Sequence, residues 1–219
     1  MNLKILLKPL VILPCLALVI SPVFAQVRLR GFSSSVRYPT DKELQQLSRE
    51  FSRHLQDLLS GDFRIYLDDS RTPEEKQKRD RFVSTWSKAN PEVAPFLGSW
   101  VGYEQGLAIY PSIVPDRVCL IEGDEEGFVR FAIGSVSSGK IYTNDNEIVF
   151  MNNGYLGIAW TKDSQASLRG DMPLNNPRPL EPLNSQMLNR LSEDSSEVKI
   201  LANRTMQAFR EAGCTANLP

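Results

Sequence analysis

The chain has 219 residues, with 25 basic and 26 acidic side chains, one histidine and three cysteines, so its formal net charge at pH 7 is −1. This balance gives no general electrostatic attraction to nucleic acid or anionic lipid, which excludes a protein that binds either through charge alone. The length suits one domain with a buried core. We predict no cofactor and no nucleic-acid partner.

The first 25 residues have the layout of a secretory signal peptide. Lys4 and Lys8 precede an uncharged apolar stretch, and Val23 and Ala25 occupy the small-residue positions of a cleavage site. A retained membrane anchor is the alternative, but prolines interrupt a stretch that barely reaches the roughly 17–25 residues that span a bilayer. We therefore expect a mature chain that begins at Gln26, lies in the periplasm or outside the cell, and is no longer attached to a membrane.

We divide the rest of the chain into a tether and one domain. Residues 26–39 contain arginine, glycine and serine without a clear period, which is typical of a flexible tether. Residues 40–219 form a single α+β domain. Within it, residues 40–95 are helical, residues 96–171 form a β-meander, and residues 172–219 contain a proline-rich extended connector followed by a C-terminal helix.

Two helices are predicted in the helical part. Thr40 and Glu43 form a capping box before leucines that recur on one helical face, and Gly61 follows the last of them. A second helix begins after Thr72, where proline occupies the first helical position. This helix is mostly charged, so we expect it on the surface and anchored only by apolar residues near its end. The alternating residues 62–67 between the helices could form a short strand.

Beyond Gly98, short segments rich in β-branched and aromatic residues recur about every ten positions and are separated by turn residues. They predict a seven-stranded antiparallel β-meander, either a curved sheet or a small open barrel. The segments are 99–103, 107–111, 117–121, 127–133, 140–143, 147–151 and 155–160. The predicted fold class is therefore α+β, with N-terminal helices, this meander and a C-terminal helix.

The stretch GSVSSGKI at 134–141 is one residue short of a phosphate-binding loop, which needs Gly, four free positions, Gly, Lys and then Ser or Thr. Ile141 stands where the hydroxyl that binds magnesium belongs. Strand-like residues follow Lys140, whereas the loop needs a helix whose N-terminus holds the phosphates. The stretch is therefore predicted to be a hairpin turn, as is Asn153-Gly154, the strongest turn signal in the chain.

Candidate catalytic groups are few. The only histidine, His54, is predicted on the solvated side of the first helix, and no cysteine pair has metal spacing, so no metal site is predicted. Acids in or beside the sheet are the remaining candidates, although acids in hairpin turns are ordinarily solvated. They are Glu104, Glu122, Asp124, Glu125, Glu126 and Glu147. Two that face inward could form a glycosidase pair, but the sequence leaves the catalytic residues unknown.

Two cysteines remain after the predicted cleavage, Cys119 in the middle of the meander and Cys214 just beyond the last helix. An exported compartment permits disulfides. We predict a Cys119–Cys214 disulfide that attaches the last helix to the sheet. The alternative is two buried thiols that pack as small apolar groups.

Gly98-Ser99-Trp100 stands at the entry to the meander and resembles the Gly-x-Trp motif that opens lipocalin-type barrels. The resemblance covers three residues. It implies a carrier of an apolar small molecule, with the tryptophan closing one end of the barrel. The predicted ligand-binding residues are Trp100, Tyr103, Phe131, Leu156 and Trp160. The alternative is that these side chains fill the core, as aromatic residues in strands usually do.

The sequence thus favours an exported, non-enzymatic binding protein for an apolar small molecule or a protein partner. The alternative is a cell-envelope hydrolase that uses carboxylates of the sheet. A cavity lined by apolar side chains would favour the carrier, and an exposed apolar patch would favour a protein partner. Two carboxylates about 5–10 Å apart in a cleft would favour the hydrolase.

Overall fold

The computed structural model describes residues 35–124, 127–170, 172–184, 188 and 196–219. The predicted signal peptide, its cleavage site and residues 26–34 of the predicted tether lie outside these residues, as do Glu125 and Glu126. Within the described ranges, no helix is both long enough and apolar enough to cross a membrane.

The described residues form an α+β fold in which a nine-stranded antiparallel sheet is combined with three α-helices. The helices are α1 (Asp41–Ser60), α2 (Pro73–Ala89) and α3 (Ser196–Glu211). The strands are β1 (Gly98–Val101), β2 (Gln105–Pro111), β3 (Arg117–Asp124), β4 (Gly127–Ser137), β5 (Lys140–Thr143), β6 (Ile148–Asn152), β7 (Tyr155–Lys162), β8 (Gln165–Leu168) and β9 (Asn175–Arg178). Their order is β8-β7-β6-β5-β4-β3-β2-β1-β9. The predicted fold class is confirmed, and the sheet is not closed.

The meander has two strands beyond the seven predicted ones. β8 follows β7 through a turn at Asp163-Ser164, where both residues have positive φ. β9 lies inside the segment that the sequence assigned to an extended connector, so that assignment is wrong for these four residues. β9 pairs only with β1, and this edge position tolerates Pro177, which has no N–H to donate to a further strand.

Both predicted hairpin turns are confirmed. β4 continues to Ser137 and β5 begins at Lys140, so only Ser138 and Gly139 form the turn, with φ of 51° and 67°. Asn153 and Gly154 join β6 to β7 with φ of 51° and 84°. Positive φ at both central residues is the signature of a type I′ turn, whose twist matches the flanking strands.

Local signals set the start of both N-terminal helices. At each start, a threonine hydroxyl accepts from the backbone N–H of a glutamate, and that carboxylate accepts from the threonine N–H. His54 is exposed, as predicted. Asp62–Tyr66 is a 3-10 helix, so the predicted strand is wrong there. The chain turns back after α1 through i→i+3 hydrogen bonds, and the segment pairs with no strand.

The sheet curves around an apolar inner core. Its inner face contributes side chains such as Trp100, Leu120, Val149 and Leu156, and residues from α2 to the start of β1 close one end. The curvature is strong enough that Leu174, just before β9, forms an isolated bridge with Leu156 of β7. The inner face is therefore enclosed although strand pairing does not close the sheet.

Helices cover the outer face of the sheet in two places. α1 buries its leucine face against β6 and β7, and Phe51 packs edge-on against Phe150. α3 covers β2, β3 and β4, where Phe209 packs edge-on against Tyr110. The sheet thus both curls on itself and carries helices outside, which accounts for the apolar side chains on both of its faces.

The predicted disulfide is confirmed. Cys119 of β3 and Cys214 are joined, with their Cα atoms 6.1 Å apart. The residues around Cys214 are held in addition by hydrogen bonds: Ser112 Oγ donates to the Ala212 carbonyl (2.6 Å), and the Thr215 N–H donates to the Pro111 carbonyl (3.0 Å). The C-terminal tail, residues 212–219, is therefore fixed beside the end of β2.

Residues 35–39, at the end of the predicted tether, pack against the sheet. Ser35 is buried, and its Oγ accepts from the Thr161 N–H at 2.8 Å. Tyr38 donates its hydroxyl to the Thr143 carbonyl at 2.5 Å. The prediction of a flexible tether is therefore wrong for residues 35–39, because Ser35 and Tyr38 hydrogen-bond to buried polar groups of the sheet.

Candidate functional site

A concave pocket lies where α2, the start of β1, the segment after β9 and the C-terminal tail meet. We call it the α2 pocket. Its volume is about 330 Å³, and it is lined by Lys78, Arg79, Arg81, Phe82, Gly98, Pro179, Leu180, Ala216 and Leu218. This volume is near the lower end of the range of roughly 300–1,000 Å³ that small-molecule sites occupy.

The floor of the α2 pocket is apolar. Phe82 is half-buried and contacts both the inner core and the outer core beneath α3. Leu180 is buried, whereas Leu218 is 59% exposed and forms the open side. The tail that carries Leu218 is anchored by a hydrogen bond from Trp86 Nε1 to the Asn217 carbonyl (3.1 Å). The floor is therefore built on fixed elements.

Gly98 forms the wall of the pocket between α2 and β9. Its φ of +140° is a conformation that side-chain-bearing residues rarely adopt. A Cβ at this position would lie 2.9 Å from Pro177 Cβ and 3.1 Å from the Arg178 carbonyl oxygen. The first residue of the Gly-x-Trp motif is therefore glycine because β9 approaches β1 closely there.

Arg79 is the most constrained cation of the pocket. Its side chain is 16% exposed, Nε donates to the Leu97 carbonyl and Nη2 to the Pro95 carbonyl (both 3.1 Å), and the guanidinium lies 6.0 Å from the centroid of the Trp100 ring. Among the described residues its one ion pair is with Asp80, at 3.9 Å and 72% exposed. Burial lowers the pKa of Arg79, and Asp80 only partly offsets that.

Two further cations stand at the rim of the pocket. Lys78 pairs with Glu181 at 3.2 Å, and both side chains are more than half exposed. Arg81 is exposed, and no carboxylate within the described residues lies in ion-pair distance of it. The α2 pocket therefore combines an apolar floor with a positively charged rim.

A second pocket lies on the other side of the C-terminal tail and shares Leu218 with the first. Its volume is about 490 Å³, and its lining contains no charged side chain: Trp86, Ala89, Asn90, Ser112, Ile113, Pro115, Thr215, Asn217, Leu218 and Pro219. It offers apolar, hydroxyl and amide surface.

The inner face of the sheet also holds a cluster of buried charged side chains, the inner charge cluster: Glu122, Arg130, Asp145, Glu147 and Arg169. Arg130 Nε donates to Glu122 at 2.6 Å, Nη1 to Asp145 at 3.3 Å, and Nη2 to Glu147. Arg169 Nη1 donates to Glu147 at 3.0 Å. Arg169 Nη2 also lies 3.3 Å from Glu122 Oε1, so both glutamates are shared between two guanidinium groups.

The inner charge cluster contains three carboxylates and two guanidinium groups. Burial raises the pKa of Glu147, although Arg130 and Arg169 act in the opposite direction. Burial also disfavours the charged form of Arg130, but Glu147 and Glu122 more than compensate and raise its pKa. The arrangement is that of a structural ion-pair network, in which each carboxylate is engaged by an arginine.

The five predicted ligand-binding residues are spread over different surroundings. Trp100 and Leu156 lie in the inner core, whereas Phe131 lies in the outer core beneath α3. Tyr103 is 45% exposed in the turn after β1, and its ring packs edge-on against Tyr66. Trp160 is partly buried near the end of β7. None of the five lines either pocket.

Of the predicted carboxylates, the structure brings Glu122 and Glu147 together in the inner charge cluster, while Glu104 is exposed in a turn. The side chain of Asp124 is not described. Sequence reasoning missed Arg130, although an arginine within an apolar strand is a signal that a buried acid lies opposite. It also missed Arg79 and Arg81, because a charged helix is usually a solvated face.

Within the described part of the chain, no group of three or more histidine, cysteine or acidic side chains is arranged to hold a metal ion. Comparisons with protein-family models, with curated proteins and with solved structures found no match. Conclusions about function therefore depend on the geometry and chemistry of the pockets.

Proposed function

We propose that this protein is an exported, non-enzymatic binding protein that holds an apolar small molecule in the α2 pocket. The observation that carries the proposal is the apolar lining formed by Phe82, Leu180 and Leu218 in a concave site of suitable size. The disulfide is compatible with export, because disulfides persist in oxidising compartments. The signal-like N-terminal segment supports a location in the periplasm or outside the cell.

The rigidity of the site supports this proposal. Each methylene group that moves from water into the pocket contributes about 0.8 kcal/mol. Phe82 is packed between two cores, and the disulfide and backbone hydrogen bonds hold the tail, so little conformational entropy is lost when a ligand enters.

The two alternatives have weaker support. A hydrolase needs carboxylates that reach a substrate, yet Glu122 and Glu147 are buried and engaged by Arg130 and Arg169. A protein partner is supported only by exposed aromatic side chains: Tyr66 contacts the rings of Phe63 and Tyr103, and neither pocket includes them.

Titration with a neutral apolar fluorescent probe tests the proposal. Leu218→Asp should weaken probe binding about tenfold, because it places a charge on the open side of the apolar floor. Ile200→Asp is the matched control, since Ile200 is a similarly exposed aliphatic residue on α3 outside both pockets. Ile113→Asp alters only the second pocket.

The proposal requires that both controls bind the probe like the wild type. Absence of probe binding to the wild-type protein would contradict it, and so would equal affinities of the wild type and Leu218→Asp. A loss of binding in Ile113→Asp, with or without a loss in Leu218→Asp, would assign the ligand to the second pocket, because Leu218 lines both pockets.

A further inference from the structure

We infer that the ligand of the α2 pocket is an amphiphilic anion, a single apolar chain that ends in a carboxylate, with its head group held by Arg79 and Arg81. This inference rests on the proposed function, because it names the ligand class of the same pocket. A medium-chain fatty acid has this chemistry.

Apolar and charged side chains are separated within the α2 pocket. The apolar lining comes from Phe82, the segment after β9 and the C-terminal tail, whereas the charged lining comes only from α2. A ligand that satisfies both surfaces needs an apolar body and an anionic end. A neutral hydrocarbon would displace water from the arginines of the pocket without supplying a negative charge in its place, which costs free energy.

The positive charge of Arg79 is only partly neutralised by its neighbours. Two backbone carbonyls fix its guanidinium, and its ion-pair partner in the described residues, Asp80, is distant and exposed. A ligand carboxylate would meet a cation that is already oriented, so less side-chain entropy would be lost on binding. The apolar surroundings would also strengthen the attraction between the two charges.

The rim of the pocket carries more positive than negative charge. Three cations, Lys78, Arg79 and Arg81, face two acids. The side chain of Asp80 is 72% exposed, and that of Glu181 is 67% exposed. Exposed ion pairs contribute little, on the order of 0–1 kcal/mol, so the Lys78–Glu181 pair can open at small cost. The rim therefore keeps an excess of positive charge toward the pocket.

The size of the pocket limits the ligand further. A volume of about 330 Å³ is near the lower limit for small-molecule sites. It therefore favours one chain over a two-chain lipid, and a free monomeric amphiphile over the surface of a bilayer.

Displacement of the neutral probe by three ligands of equal chain length tests this inference. Decanoate, decanol and decylammonium differ only in the head group. We expect decanoate to bind the mature protein about tenfold more tightly than decanol and still more tightly than decylammonium. The advantage of decanoate should shrink as salt concentration rises, because the rim is open to solvent.

Variants of α2 identify the head-group site. Arg81→Gln should reduce the advantage of decanoate over decanol, with Arg79 left as the second cation, and leave the affinity for decanol unchanged. Lys88→Gln is the matched control, since it removes one positive charge from the same helix outside the α2 pocket. Arg79→Lys keeps the charge but removes the fork-shaped geometry, so it should weaken decanoate binding selectively.

The possible outcomes separate this inference from the proposed function. Equal affinities for decanoate and decanol would overturn the inference and leave the apolar pocket in place. If the preference for decanoate over decanol is as large in both Arg81→Gln and Arg79→Lys as in the wild type, the inference is also overturned, because the head group would then bind elsewhere. If neither the probe nor decanoate binds, both proposals fail. Binding to phosphatidylglycerol vesicles without binding of decanoate would overturn the single-chain ligand.

Discussion

Arg130 contacts three carboxylates on the inner face of the sheet, and Arg169 contacts two of them. With every group ionised, the cluster would bury one excess negative charge. Burial disfavours the charged form of Glu147 and the neighbouring arginines favour it, and the effect of burial is the larger. The pKa of Glu147 is therefore raised mainly by burial, with a smaller contribution from the charge of Glu122.

The raised pKa of Glu147 predicts a pH dependence of stability. The pKa of Glu147 is raised above its ordinary value of 4.5, so the folded protein holds the proton more tightly than the unfolded chain does. The stabilisation is full below about pH 4.5 and is lost as pH rises through the raised pKa, by up to about 1.4 kcal/mol per pH unit. Glu147→Gln should lack this loss, as measured by urea unfolding midpoints across the pH range.

Other groups facing Glu147 remain in the variant: Glu122, Arg130, Asp145, Arg169 and Thr143. To first order, these groups contribute equally to the pH dependence of stability in the wild type and in Glu147→Gln. Glu92→Gln, the same substitution at an exposed residue, is the control and should follow the wild type. Parallel profiles of wild type and Glu147→Gln would show that the carboxylate carries no retained proton.

At the scale of elements, the junction of β1 with β9 determines the wall of the α2 pocket. β9 is an edge strand that pairs only with β1, and Gly98 at the start of β1 permits its close approach. Arg178 of β9 also pairs with Glu75 of α2 at 2.8 Å. The position of β9 therefore links α2 to the sheet.

Gly98→Ala should disturb this junction. The new Cβ would meet Pro177 at 2.9 Å, and the φ of +140° would strain an alanine, so we expect a loss of about 1–3 kcal/mol in unfolding free energy together with weaker probe binding. Gly106→Ala is the control. Gly106 of β2 lies opposite Val101 of β1, and the nearest atom to its new Cβ would be the Trp100 carbonyl oxygen at 3.5 Å, an ordinary contact distance. Equal stability losses in the two variants would contradict the explanation.

At the scale of the whole molecule, the disulfide connects the sheet to the C-terminal tail, and the tail contributes Ala216 and Leu218 to the α2 pocket. The same tail contacts α2 through Trp86 and the end of β2 through Thr215. The covalent bond therefore stabilises the global fold and the binding site together.

Removing the disulfide should cost stability. The bond closes a loop with a sequence separation of 95, for which the chain-entropy model allows about 4–5 kcal/mol as an upper figure. The double variant Cys119→Ala/Cys214→Ala should unfold at lower denaturant concentration and bind the apolar probe more weakly. A reductant should destabilise the wild type and leave the double variant unchanged. Equal effects of the reductant on both proteins would contradict this account.

The elements that the sequence predicted correctly depend on residues close together in the chain. The capping boxes of α1 and α2 join residues three positions apart, and the type I′ turn at Asn153-Gly154 needs only two adjacent residues. The strands follow from period-two alternation, which is also a local property. The wrong predictions concern segments whose conformation depends on a partner far away in the chain. Asp62–Tyr66 has no strand to pair with, whereas Asn175–Arg178 pairs with β1.

The sequence by itself therefore predicted the α+β class, most strand positions and the Cys119–Cys214 disulfide. The tertiary structure decided which side chains meet. The α2 pocket joins residues 78–82, 98, 179–180 and 216–218, and the inner charge cluster joins residues from four separate segments. These contacts depend on the curvature of the sheet and on the position of its edge strand. Neither property follows from the local alternation of apolar and polar residues, because each results from the packing of the whole chain.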